Sequence, residues 1–135
     1  MTCPVCGFDQ VDEGYRSQTF SVPYGPSIET TLSNNRCSNC TEEWDSNDMN
    51  TPRIERALAE STQKSIPVMV DALIGYGYTL VYCERALRLP FGTFQKWLDK
   101  PDLVDPGSVV MLRMVATYPW LLQAADDNFR QASNG

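Results

Sequence analysis

Histidine is absent from the 135 residues of this chain. That absence removes the commonest general base, every Ser-His or Cys-His nucleophile pair and all imidazole metal ligands. No run of about 18 consecutive apolar residues occurs, so no segment reads as a membrane-spanning helix. The opening residues MTCPVCG have neither the basic region nor the apolar run of a secretion signal. The expectation is a soluble cytoplasmic protein with no membrane partner and no enzymatic reaction centre.

Basic side chains are also scarce, 11 Lys and Arg against 17 Asp and Glu, for a formal charge of −6. A uniform deficit would argue against nucleic acid, because binding DNA rests on neutralising phosphates. The deficit is not uniform. Residues 1–78 hold Arg16, Arg36, Arg53, Arg56 and Lys64 against eleven carboxylates, whereas residues 79–135 balance six basic side chains (Arg85, Arg88, Lys96, Lys100, Arg113, Arg130) with six acidic ones. The two ends should differ strongly in surface potential.

Five cysteines, an odd number without a secretion signal, argue for thiols kept free rather than a disulfide framework. Four of them form two CxxC pairs, Cys3 with Cys6 and Cys37 with Cys40. Each pair can close a knuckle that aims two sulfurs at one metal, and two knuckles complete a tetrahedron. A redox motif would occur once, beside a βαβ unit that is missing here; iron on four sulfurs is the other alternative, since spacing does not choose between zinc and iron. The expectation is one structural Zn2+, because a closed four-sulfur site leaves no open position for water or substrate. Cys83 falls in an apolar helical pattern and is expected to be a small core residue.

Between the pairs, residues 15–24 are rich in Thr, Ser, Phe, Val and Tyr. Gly25-Pro26 then signals a turn and residues 28–32 can return, giving a small antiparallel sheet. Residues 45–51 (DSNDMNT) are polar and turn-forming and end at an N-cap, Thr51, followed by Pro52. The division expected is a β module at 1–44, a linker and connector helix at 45–65 with Ile54, Ala57 and Leu58 on one side, and a helical domain at 66–135. In that domain Ser65 caps a helix with Pro67 in its first turn and Val68, Met69, Ala72 and Leu73 at helical spacing, stopped by Gly75 and Gly77.

Thr79 opens a short helix from Leu80 to Leu87, broken by Pro90, and Gly92 to Lys100 forms another. Asp105-Pro106 starts a further helix with Val109, Leu112, Arg113 and Val115, and Pro119 starts a last one with Leu121 and Leu122. Two short helices across a tight turn suggest a helix-turn-helix, although a plain helical hairpin would show the same pattern. In the second, Phe94, Trp97 and Leu98 face inward, leaving Thr93, Gln95, Lys96 and Lys100 for DNA, with Arg85 and Arg88 nearby and only Glu84 and Asp99 opposing them. The fold class is α+β: a zinc-bound antiparallel β module followed by an all-α, five-helix domain.

The opening MTCPVC with Cys37-Ser38-Asn39-Cys40 resembles the MqsA-type antitoxins, which carry a YgiT-type zinc finger. The order Phe94-Gln95-Lys96-Trp97, Asp105-Pro106-Gly107-Ser108, Leu112-Arg113 and Pro119-Trp120-Leu121-Leu122 resembles the same family. The resemblance implies a zinc-binding N-terminal domain that engages a basic toxin. It also implies a Cro/XRE-like helix-turn-helix domain that forms a homodimer and binds double-stranded operator DNA, its second helix in the major groove. By position, Lys96 matches a base-contacting arginine of the family and Gly92 a base-contacting asparagine. Lysine is the less directional donor, and glycine has no side chain with which to recognise adenine. The polar opening of the family's first helix is replaced by Leu80-Val81-Tyr82-Cys83. The rival expectation is an interaction module whose acidic N-terminal half binds a basic partner, with little or no DNA binding.

Overall fold

The computed structural model of the chain describes residues 2–45 and 47–126, without the side chain of Asn47. Arg130, counted above with the basic residues, and the C-terminal end of the expected helical domain lie outside the described residues. A three-stranded antiparallel sheet comes first: β1 (Val11–Phe20), β2 (Ile28–Cys37) and β3 (Glu43–Trp44), in the order β1-β2-β3. Five α-helices follow among the described residues: α1 (Asn47–Gly75), α2 (Leu80–Ala86), α3 (Thr93–Asp99), α4 (Pro106–Thr117) and α5 (Leu121–Ala125), with a 3-10 turn at Pro101–Leu103. The α+β class is as the sequence indicated. None of the described helices is by itself long and apolar enough to cross a membrane.

The described residues divide into two compact units. One joins residues 2–21 with Ser27–Ser61; the other joins Val22–Pro26 with residues 62–126. In the first unit β1 pairs with β2 over ten residues, from Val11 opposite Cys37 to Phe20 opposite Ile28. The hairpin is longer than the composition of residues 15–32 suggested, because polar Asp12, Glu13, Asn34 and Asn35 are drawn into strands by the ladder itself. On its other side β2 pairs with β3 only at Asn35 and Arg36. Beyond that, the first turns of α1 take over the edge. Ser33 N–H donates to Asn50 Oδ1 at 2.8 Å and Asn50 Nδ2 donates to Ser33 O at 3.0 Å, while Arg53 Nη1 donates to Thr31 O at 2.8 Å. Positions 35, 33 and 31 are thus satisfied in turn by a strand, an amide and a guanidinium, which blunts an edge that would otherwise invite strand pairing.

This docking corrects the expected boundary. No separate linker or connector helix spans residues 45–65: α1 starts at Asn47, a turn before Thr51-Pro52, because the buried Asn50 amide fixes that turn against β2. The helix also runs through Ser65 and Pro67 without a break, so Ser65 is not a cap; its Oγ donates to Thr62 O at 2.6 Å within the helix. A proline inside a helix costs about 3 kcal/mol. Around it Ile66, Met69, Val70 and Leu73 are fully buried, each worth about 1.5–3 kcal/mol, so tertiary burial wins. Val68, expected inward, is exposed instead.

The second unit is built on those four side chains together with Cys83, Ala86, Phe94, Val109, Leu112, Val115, Ala116 and Leu122. Cys83 is fully buried there, and desolvation pushes its thiol up to about 11, as befits an inert core residue. Local signals position the short helices. Thr79 accepts Tyr82 N–H at 3.1 Å, and Asp105 accepts Ser108 N–H at 3.1 Å, with Pro106 in the first turn. The Ser108 hydroxyl, at 2.6 Å, and amide hold the Asp105 carboxyl below its ordinary value. A depressed carboxyl contributes stability above the ordinary carboxylate range and loses it as pH falls through the lowered value.

Candidate metal centre and nucleic-acid interface

The four cysteines meet at the end of the sheet. Val11 pairs with Cys37, so the last residue of β2 is itself a candidate ligand, and Ser38 Oγ donates to Gln10 O at 2.9 Å to tie the second knuckle to the chain leading into β1. The two knuckles have the same hydrogen bonds. Val5 N–H and Cys6 N–H point to Cys3 Sγ at 3.4 and 3.5 Å, and Asn39 N–H points to Cys37 Sγ at 3.4 Å. Gly7 N–H closes onto Cys3 O at 3.0 Å and Thr41 N–H onto Cys37 O at 3.1 Å. Gly7 (φ 77°) and Thr41 (φ 63°) both occupy the left-handed region that the knuckle demands, which glycine adopts without cost and threonine does not.

All four sulfurs lie within 4.8 Å of one another, with Cys3 Sγ to Cys40 Sγ at 3.7 Å and Cys6 Sγ to Cys37 Sγ at 3.5 Å. Such separations are too long for disulfides, whose bond is about 2.05 Å. They are close to the roughly 3.8 Å edge of a tetrahedron with metal–sulfur arms of about 2.3 Å. Protonation agrees with the geometry. The backbone N–H of Phe8 is the main cause that brings Cys6 down to about 6, and the Cys6 N–H likewise lowers Cys3. Cys40 receives the Glu42 N–H, yet desolvation and the three neighbouring thiols outweigh it and push Cys40 up to about 12. Four sulfurs this close cannot all be thiolates unless a cation lies among them. The donor set fits one four-coordinate metal ion.

The second set of candidates lies on α2, α3 and the turn between them. Arg85 is exposed, its guanidinium carbon 5.8 Å from the Tyr82 ring centre. Lys96 and Lys100 are exposed and line a hollow of about 460 Å3 with Trp97, Asp99 and Leu103. Neither lysine forms an ion pair among the described residues. Gln95 and Thr93 are less available than the sequence suggested: Gln95 Nε2 donates to Asp99 Oδ1 at 3.0 Å, and the Thr93 hydroxyl donates to Pro90 O inside the turn. Gly92 precedes α3 at φ 85°, and open space surrounds the position of a Cβ there. Glycine thus answers a backbone need at this position.

Glu84 is the residue that sequence reasoning misjudged. It is not a surface charge opposing the basic side chains: only 4% exposed, it accepts Phe94 N–H through Oε2 at 3.2 Å and so anchors the first turn of α3 to α2. The signal was its place between Cys83 and Ala86 on the apolar face of α2. Its burial leaves Asp99 as the only acidic residue at the surface of these two helices.

Arg88 adopts φ 57° after α2, where Arg88 N–H bonds Arg85 O at 3.2 Å and Leu89 N–H bonds Glu84 O at 2.8 Å. This is a Schellman ending in which glycine is the usual residue. Arg88→Gly is therefore expected to raise unfolding stability by about 1 kcal/mol, read from urea or thermal melts, because the left-handed conformation costs an L-residue roughly that much.

No protein-family model matches the chain, and no curated protein or solved structure resembles it at a significant level.

Proposed function

We propose that the chain is a DNA-binding transcriptional regulator of the antitoxin type. In this reading α2 and α3 form a Cro-like helix-turn-helix, the protein binds an operator as a homodimer, and a structural zinc ion holds the first unit. The observation that carries it is the charge of the helix pair: Arg85, Arg88, Lys96 and Lys100 are exposed, while Glu84 is turned into the core to fix α3. An apolar groove of about 440 Å3 beside α4 and α5, lined among others by Val110, Met111, Met114 and Leu121, supports dimerisation through the second unit. The resemblance to the MqsA-type family agrees with all of these. With Gly92 lacking a side chain and Gln95 tied to Asp99, base recognition falls chiefly on Lys96.

The test is fluorescence anisotropy with the duplex upstream of the chain's own gene. The logarithm of the affinity is expected to fall linearly with the logarithm of salt, by about 0.9 per phosphate neutralised. Lys96→Ala should reduce discrimination between operator and random duplex by about 1–3 kcal/mol, while Arg85→Ala should weaken both alike. Absent or salt-insensitive binding would overturn the reading.

A second reading is favoured by a specific feature of the first unit. Its surface combines exposed Val5, Phe8 and Tyr15 with Asp12, Glu13, Glu42 and Glu43. Apolar side chains among carboxylates suit a basic protein partner, such as a toxin. Pull-down of one small basic protein by a chain that shows no DNA binding would favour this module as the whole function.

A further inference from the structure

The first unit holds ten carboxylates and four arginines, yet one of its hollows is basic. Tyr15, Thr30, Thr31, Arg53 and Arg56 line a concavity of about 450 Å3, and no carboxylate is among them. Arg53 is fixed in place by its Nη1 donation to Thr31 O at 2.8 Å, which occupies one of the five guanidinium donors and leaves four. Arg56 lies three residues further along α1, hence on the same side of the helix, is exposed, and is paired with no carboxylate among the described residues. Two guanidinium groups held side by side repel each other. What relieves that repulsion, and matches their planar donor geometry, is an oxyanion.

The other walls extend the same chemistry. The hydroxyls of Thr30, Thr31 and Tyr15 are further donors, and the Tyr15 ring, 66% exposed, presents a flat face on which an aromatic base can stack. The hollow falls within the range of about 300–1,000 Å3 usual for small-molecule sites. We propose that it binds the phosphate of a small aromatic phosphate, a mononucleotide in chemical class, with the phosphate at Arg53 and Arg56 and the ring against Tyr15. The site is separate from the sulfur cluster and from the α2–α3 surface, so it stands or falls independently of DNA binding.

The experiment is calorimetric and NMR titration of the full, metal-loaded chain with inorganic phosphate, adenosine 5′-monophosphate, adenosine and acetate at fixed ionic strength. Phosphate and the nucleotide should saturate one site and shift the Thr31 amide and the arginine side-chain signals; adenosine and acetate should not. Arg56→Gln should weaken both ligands about tenfold, the loss of one charge-assisted contact, with an unchanged melting temperature. Tyr15→Ala should weaken the nucleotide and spare phosphate. Lack of saturable phosphate binding, phosphate binding unaltered in Arg56→Gln, or acetate binding as well as phosphate would overturn the proposal.

Discussion

Removing the metal with a strong chelator is expected to unfold the first unit and leave the second folded. The first unit buries few apolar side chains, chiefly Leu32 and Ala57 beside Cys3 and Cys37; its other buried residues include Ser33, Asn35 and Asn50. Burying one leucine contributes about 1.5–3 kcal/mol, whereas ordering each residue costs about 1.5 kcal/mol, so the sheet cannot hold itself together. A four-thiolate zinc site supplies about 10–16 kcal/mol of apparent binding energy, which decides the balance. The first half of α1 should fray with the sheet, because Asn50 and Arg53 lose Ser33 and Thr31. A thiol-reactive dye should then modify four cysteines after chelation and Cys83 only after denaturation. Amide exchange that accelerates in both units together, or in neither, would sink the two-unit account.

The same site gives a pH dependence whose sign is fixed by the thiols. Cys40, pushed up to about 12, holds its proton at neutral pH and must release it to bind metal. Cys6, brought down to about 6, is already a thiolate at pH 7 and becomes protonated only below that value. Apparent affinity should thus fall as pH falls, about tenfold per unit for each proton displaced, and more steeply below pH 6.

The sulfur cluster and the antiparallel hairpin were legible because they rest on local rules: CxxC spacing, a β-rich run and Gly25-Pro26. The caps at Thr79 and Asp105 were legible for the same reason. What the sequence concealed was every place where a distant partner overrides a local preference. Asn50 is polar and turn-forming in isolation, yet its amide continues the β2 ladder and starts a helix early. Pro67 should end a helix, yet the four side chains around it are buried well enough to carry α1 past it. Glu84 counts as a surface charge until Phe94 N–H is seen to need it. Whether Arg53 and Arg56 serve any purpose could not be asked of a sequence in which they lay on a charged connector.

Phe94→Ala is expected to destabilise the second unit by about 3–5 kcal/mol, the usual cost of emptying a fully buried aromatic site. Phe94 is 1% exposed, its ring meets Trp97 edge to face at 5.2 Å, and its N–H is the group Glu84 holds. Truncation removes the packing, and Trp97 loses the ring it rests on. Small domains have about 5–15 kcal/mol in all, so a large fraction of the stability is at stake. Glu84→Ala makes the informative comparison: it leaves the ring but strands a buried N–H, costing about 1–3 kcal/mol. Urea melts followed by tryptophan fluorescence separate the two. Equal, small losses would show that α3 is not anchored in the way described.

The left-handed arginine after α2 has a consequence for anyone improving the protein by selection. A library screened only for heat resistance should enrich glycine at position 88, and one screened for charge-dependent binding should keep arginine. At that position the two optima diverge, as they do where activity is retained at the expense of robustness. Thr41, strained in the same sense at the second knuckle, has no such conflict: there a glycine would only match Gly7 in the first.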